Sequence, residues 1–470
     1  MENSSNTLPK IIKPVVILLR IVAGFTFLFS GFVKAIDPVG SSIKFQEYFV
    51  GLGIDILSPS SVLGADFVST FAILLGVLLA AGEFTLGCTL LFGLYRKLSP
   101  WLFFLFMLVM TPLTLYLAIA NPVQDCGCFG EAIVITNWQT FYKNLFLFVA
   151  SIFLLKYNHW CNAVFIKSVR WLPALFSLLY ALMVSALSYM YQPLLDFRPY
   201  KSGINLREAV HSSGVTAEYI FIYEKDGVEK EFDINNIPYS DTTWHFVERV
   251  EKITDASSGK ESLDFTIYDG DEDITDFILD DENYTFLLLV PSVSEYDDSW
   301  DDKIFNLYDY AYEHSYNFYA LSPDENAMQE KLEASGITFP CYTMDETVIE
   351  MIARGNPAVA MLKEGSIHWK INPRELLDVS QYSEDIESTP LAELHKYNFA
   401  KRFSLLMAIY IIPLVLLYLC EKGVVTILAS LKQRREAAKL KGEAENKESN
   451  QAEVAEEEKE TENNIETADK

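Results

Sequence analysis

Two cysteines separated by a single residue, Cys126 and Cys128, are the side chains in this sequence best suited to chemistry. They lie in "NPVQDCGCFGEAIVITNWQTFYKN", Asn121 to Asn144, between two apolar runs. A disulfide across one intervening residue closes a small, strained ring, and strained disulfides have the higher potentials that go with ready exchange. Gly127 is the residue best able to take the backbone angles such a ring needs, and Gly130 adds a second flexible point. The spacing therefore suits a redox-active pair. It serves equally a structural disulfide, a static turn, or two thiols with separate partners. The neighbouring Asp125 weighs against activation, because a carboxylate raises a thiol's pKa. A metal centre is a poor fit, since the loop has no histidine and four ligands are not in view.

Other ionisable residues offer weaker signals. Glu83 sits near the middle of an apolar stretch, where a charge is expensive and usually faces a polar interior. It suits a proton or quinone site, or a hydrogen-bonded glutamate between packed helices. Lys34 and Asp37 stand at the mouth of the first apolar stretch, where they line an entrance or form a plain interfacial pair. "DGDEDITDFILD" sets Asp269, Asp271 and Asp273 at alternate positions, as in a calcium loop. It has Ile274 where that loop needs glycine and ends in Asp280 rather than glutamate, so it reads as an acidic turn. Of the remaining cysteines, Cys88, Cys161 and Cys420 read as reduced and structural. Cys341, beside Pro340, is the one thiol of the polar block described below.

The frame that must position these residues is a membrane bundle. The chain has 470 residues, half of them hydrophobic and clustered. A bilayer core about 30 Å thick needs roughly 20 apolar residues in helix. Six stretches qualify, near Val15–Val33, Phe67–Leu94, Trp101–Ala120, Phe141–Leu155, Leu172–Met190 and Phe403–Leu419. The first is a retained helix rather than a signal peptide, because Arg20 lies inside it and no small-x-small site follows "FLFSGFVKAIDP". Lys10 and Lys13, Arg96 and Lys97, Lys156 with Lys167 and Arg170, and Lys432 with Arg434 and Arg435 all fall on one side if both termini are cytoplasmic. The thiol loop (121–138) and the block between the fifth and sixth stretches (191–398) then face the oxidising side, where disulfides persist. That layout is a multi-pass membrane protein with both termini cytoplasmic and a polar domain on the oxidising side.

The polar block is large enough for its own core. "AEYIFIYEKDGVEKEFDI" predicts a hairpin within a β-rich segment, 191–281. From Tyr284 the order is β-α-β-α-β-α-β-β, which implies a sheet with helices packed on it. This order resembles a thioredoxin-like domain, taken here as 282–398, and "GNPAVAMLKEGSI" looks like that fold's cis-proline loop, at Pro357, and final hairpin. Where an active thioredoxin carries C-x-x-C, this chain has "PSVSEYDDSW". By that resemblance the domain holds a partner near Pro357 and Cys341 and is not itself a dithiol site. The tail, 433–470, is charged and poor in apolar residues, which predicts disorder or a frayed helix. The net charge of −27 argues against nucleic acid as a partner.

Three segments in the first 160 residues carry a more specific likeness: "RIVAGFTFLFSGFVKAIDPVGSSIKFQEYF", "GEFTLGCTLLFGLYRK" and "DCGCFGEAIVITNWQTFYKN". In content and order they resemble the DoxX and MauE-type membrane proteins of bacteria. The resemblance implies a four-helix membrane domain over 1–160, extended here by a fifth helix (171–190) and a sixth (399–422), as in long Bacteroidetes forms. MauE proteins are tied to maturation of the disulfide-rich small subunit of methylamine dehydrogenase, and DoxX relatives to sulfur and quinone chemistry. A thiol role would carry onto Cys126 and Cys128, with a thiol-bearing client and a quinone acceptor as expected partners. The competing expectation is a non-catalytic scaffold whose polar domain binds a partner while the cysteines brace the loop.

Overall fold

The computed structural model describes residues 8–57, 64–123, 125–160, 162–211, 218–225, 228–233, 245–252, 263–393 and 398–468. Cys161 lies outside the described residues, as does the turn between the strands of the expected hairpin. Six described helices are long and apolar enough to cross a membrane: α1 (Leu8–Ile36), α3 (Ala65–Phe92), α4 (Leu98–Ala120), α5 (Asn137–Tyr157), α6 (Trp171–Met190) and α12 (Phe399–Ala468). They correspond to the six expected stretches. Many of their large side chains point outward, such as Leu18, Phe25 and Val109. Apolar tails of a bilayer suit such a surface, because it leaves no backbone polar group in hydrocarbon.

Three local signals shape the end of the bundle that carries the thiol loop. Asp37 caps α2 (Pro38–Gly51) by accepting from Gly40 N at 2.8 Å, and Pro38 supplies a first-turn residue with preset φ. Part of the segment between the first two spans is therefore helical. Asn121 ends α4 in the left-handed conformation. Thr136 and Gln139 start α5 with a reciprocal capping box. The thiol loop is thus pinned at both ends.

Among the described residues, the block between α6 and α12 holds two sheets. β1 (Glu218–Lys225), β2 (Val228–Asp233) and β3 (His245–Lys252) form an antiparallel sheet with β1 in the centre, which includes the expected hairpin. The second sheet has the order β10-β9-β6-β7-β8-β4-β5. Its strands are β4 (Tyr268–Asp269), β5 (Glu272–Asp273), β6 (Tyr284–Leu289), β7 (Asn317–Ser322), β8 (Cys341–Thr343), β9 (Ala358–Lys363) and β10 (Ser366–Ile371). β6, β7 and β8 are parallel, and β9 and β10 add antiparallel. Alternation sends Phe286 and Leu288 to one face and Leu287 and Leu289 to the other. The first face is covered by α9 (Asp301–Glu313) and α10 (Glu325–Ala334). The second is covered by α7 (Leu206–His211), α8 (Thr275–Leu279) and α11 (Glu346–Ile352).

Two expected boundaries move. The larger sheet does not begin at 282, because β4 and β5 pair into it and Tyr200, Leu206 and Phe265 join its core. The tail from 433 continues α12 as helix to Ala468. Its Ala, Glu, Lys, Gln and Arg are strong helix formers, and they prolong a helix already nucleated in the span. The acidic turn at Asp269–Asp273 is the β4–β5 hairpin, with Asp273 accepting from Thr275 N at 2.9 Å.

Candidate functional site

The site begins with a close helix crossing. A side chain on Gly31 would start 2.6 Å from Ala80 O and closer still to Phe84 N, so only glycine lets α1 lie this near α3. Ser30 and Lys34 share one face of α1, four residues apart, and that face meets Glu83. Lys34 Nζ lies 2.9 Å from Glu83 Oε2, 2.9 Å from Cys128 O and 2.7 Å from Ser30 Oγ, which uses all three ammonium protons. Ser30 Oγ is 2.7 Å from both Glu83 Oε2 and Cys128 O, and its single proton serves one of them at a time. Lys34 and Asp37 accordingly do not pair with each other. Lys34 turns inward to Glu83, and Asp37 turns to the sheet domain.

This network holds the cysteine loop by its backbone. Cys128 O is fixed from α1, and Cys126 O accepts from the Tyr48 hydroxyl of α2. Gly127 has a φ of +60°, and its N–H donates to Asp125 Oδ2 at 2.8 Å. Asp125 is also paired with Lys44 at 2.8 Å, which answers the carboxylate that the sequence reading counts against a reactive thiol. Burial alone would lower the Lys44 pKa, but its bonds to Asp125 and Glu47 raise it, so it stays charged.

The two sulfurs are 3.2 Å apart, unbonded, and 7% and 8% exposed. A hydrogen bond from the Cys126 thiol holds Cys128 below the usual thiol range; burial opposes this, and the ammonium groups of Lys143 and Lys34 assist. The same hydrogen bond, together with burial, pushes Cys126 up. The two thiols therefore titrate as a pair, and the ammonium groups of Lys143 and Lys34 favour ionisation at Cys128. Lys143 also sits 4.4 Å above the Phe129 ring, and Phe129 packs on Phe29, which ties the loop to α1 and α5. A cavity of about 210 Å³ opens beside the pair, with Lys34, Tyr48, Glu83 and Arg198 in its wall.

The sheet domain reaches this end of the bundle through Arg354. Its Nη2 is 2.8 Å from Asp37 Oδ2, and its Nε is 3.2 Å from both carboxylate oxygens. Gln192 Oε1 accepts from Arg354 N at 2.9 Å, and the Gln192 amide donates back to Arg354 O. Burial would raise the Asp37 carboxyl, but Arg354 outweighs it and holds it below the usual range.

Residues 12–157, from α1 to the end of α5, match the family model described as methylamine utilisation protein MauE. Residues 12–157 form a MauE-type membrane domain. The matched stretch contains Ser30, Lys34, Glu83, Cys126 and Cys128, so the whole inner network lies in the MauE part of the chain. Residues 217–256, which include β1–β3, match a domain of unknown function (DUF8463). No curated protein and no solved structure matches the chain.

The expected residues thus separate into two groups. Cys126, Cys128 and Glu83 come together in the MauE bundle. Pro357 follows a cis peptide bond and is buried, three residues beyond Arg354. Cys341 is buried in the sheet core, where burial pushes its thiol up to about 12, so no exposed thiol is there for a partner. Cys88 is buried in the bundle and Cys420 is exposed on α12. Lys44, Tyr48, Lys143, Arg198 and Arg354 escape the sequence reading. One signal was available: the Asp37–Pro38 helix start puts Lys44 and Tyr48 four residues apart on one helix face.

Proposed function

We propose that this protein carries out thiol–disulfide exchange through Cys126 and Cys128 at the surface of the bacterial inner membrane. The observation that carries this reading is the 3.2 Å approach of the Cys126 and Cys128 sulfurs, with the Lys34 and Lys143 ammonium groups favouring a Cys128 thiolate. From the reduced state, the Cys128 thiolate attacks one sulfur of a client disulfide, forming a mixed disulfide and releasing one client thiolate. That thiolate takes the Cys126 proton. Cys126 then attacks Cys128 Sγ, closing the pair and releasing the second client sulfur. Two electrons pass to the client and the pair is left oxidised; the reverse sequence oxidises a client dithiol.

The positive residues on the opposite end of the bundle support cytoplasmic termini; in that orientation the thiol loop and the sheet domain face the periplasm. We read residues 282–398 as a thioredoxin-like domain, from its parallel β6–β8 core, cis-Pro357 and final hairpin. Lacking cysteines at the C-x-x-C position, it serves to hold a client rather than to exchange with it. A quinone is the candidate oxidant for a reduced pair, with Glu83 and Lys34 in the wall of the cavity beside it. The family's name is not evidence that this chain handles methylamine. A scaffold role is the second reading, favoured by the burial of Cys341 and of both loop cysteines.

The test is the redox state of Cys126 and Cys128 in membranes, by alkylation and mass spectrometry across a glutathione series. A pair that switches, with a potential above about −300 mV, supports exchange. A pair fixed in one state throughout rejects it in favour of the scaffold.

A further inference from the structure

With both cysteines almost fully covered, a protein substrate needs a route to them, and a cleft that shares Lys44 with the cavity beside the thiols offers one. α2 lies over the cavity on the side of the sheet domain, and Lys44 closes the gap between α2 and the cysteine loop. Its Nζ bridges Asp125 at 2.8 Å and Glu47 at 3.0 Å, and its Cγ would be 3.2 Å from a side chain on Gly127. Lys44 lines two spaces at once: the cavity beside the thiols and an open cleft of about 620 Å³ between α2 and α11. Glu47 on α2 forms one wall of this cleft, Glu346 and Glu350 on α11 form the other, and Pro122 and Val123 at the start of the thiol loop form its floor.

The charges in this cleft are unequal. Its nearby cations are already engaged, Lys44 with Asp125 and Glu47, and Arg354 with Asp37. Burial pushes the Glu350 carboxyl up to about 7; Arg354 opposes this, while Glu346, Asp37 and Glu295 add to it. A cation entering the cleft would relieve that repulsion.

We propose that the cleft between α2 and α11 is the docking site for an extended, lysine- or arginine-bearing segment of a partner protein, whose cysteine enters past Lys44 to meet the Cys126–Cys128 pair. The inference rests on the exchange reading above and adds to it the port and the charge of the client. A basic side chain of the client takes over Glu47 from Lys44, and Lys44 swings aside. Charge complementarity of this kind sets encounter rate and partner choice more than final affinity. Asp37, the N-cap of α2, is clasped by Arg354, so the sheet domain holds both walls of the port in register.

The test uses the reduced full-length protein in lipid nanodiscs. Three probes are compared: a small uncharged dipyridyl disulfide, a lysine-flanked peptide and a glutamate-flanked peptide, each peptide carrying one cysteine as a mixed disulfide. Rates are taken as the part lost in Cys126→Ser/Cys128→Ser. The lysine peptide is expected to react about tenfold faster than the glutamate peptide, and Glu346→Gln/Glu350→Gln should collapse that ratio to below about threefold. The small disulfide should react at the same rate in both proteins. Equal peptide rates, a ratio that survives the double substitution, or no peptide reaction at all would overturn the port while leaving exchange intact. Failure of the small disulfide to oxidise the pair would overturn the exchange reading and the port together.

Discussion

Replacing Lys34 by methionine should be among the most damaging single changes in the bundle. The Lys34 and Glu83 side chains are 10% and 5% exposed, so the substitution leaves the Glu83 carboxylate out of water with only the shared Ser30 proton. Removing one partner of a buried ion pair costs about 3–5 kcal/mol, most of it the penalty of the stranded charge. The companion Glu83→Gln strands the ammonium instead and should cost a similar amount. In Lys34→Met/Glu83→Gln no charge remains, so the double variant should be more stable than the sum of its parts by about 2–3 kcal/mol. The assay is unfolding of the purified protein in mixed micelles by titration with a denaturing detergent, followed by tryptophan fluorescence. A loss under about 0.5 kcal/mol in Lys34→Met, or single losses that simply add, would refute the network as drawn. A second readout is independent of stability. Without the Lys34 ammonium the Cys128 thiol should titrate higher, so its alkylation at neutral pH should slow.

Three further outcomes follow from the same geometry. Gly31→Ala drives a methyl group into the α3 backbone at Ala80 and Phe84, and should cost about 1–3 kcal/mol in the same unfolding assay. Arg354→Ala removes the clasp on Asp37 and should raise amide hydrogen exchange in α2 and α11, with exchange in β6 and β7 unchanged. Because the Asp37 carboxyl is depressed, that clasp persists as pH falls through the ordinary carboxylate range and is lost only as pH falls through the lower folded value. For Glu350 the sign is reversed. Its folded pKa of about 7 exceeds the ordinary 4.5 of a free glutamate, so between those values the folded state holds a proton that the unfolded chain has released, and stability declines as pH rises through that window. Glu350→Gln should flatten that decline, a difference of about 2–3 kcal/mol at pH 7.5, measured by denaturation across pH.

Much of this protein is legible in its sequence, for reasons that are local. Apolar length alone marks the six spans, because a bilayer demands a continuous run of residues. The cysteine spacing is a chain property and needs no fold to be seen. Asn121 and the Thr136–Gln139 box, by contrast, show how short signals set the ends of the thiol loop once the helices around them exist. The α2 helix carried a readable mark in Asp37–Pro38, but its short amphipathic pattern is masked by glycine and serine at Gly40, Ser41 and Ser42. The tail is helical because propensity sums along a helix already started, a cooperative effect that composition treated as a separate tail does not register.

The partners of the charged side chains were decided only in three dimensions. Lys34 is three residues from Asp37 and 49 from Glu83, yet it pairs with Glu83, because the glycine crossing brings α1 and α3 together. Asp37 finds Arg354 across 317 residues, because the sheet domain is tied back onto the bundle. Asp125, beside the thiols in sequence, is neutralised by Lys44 from another helix. Sequence determined that two thiols stand one residue apart in a loop between membrane helices. Tertiary structure decided which charges face each sulfur and what covers them, since a charge responds to whatever lies within a few ångströms and not to its neighbours along the chain.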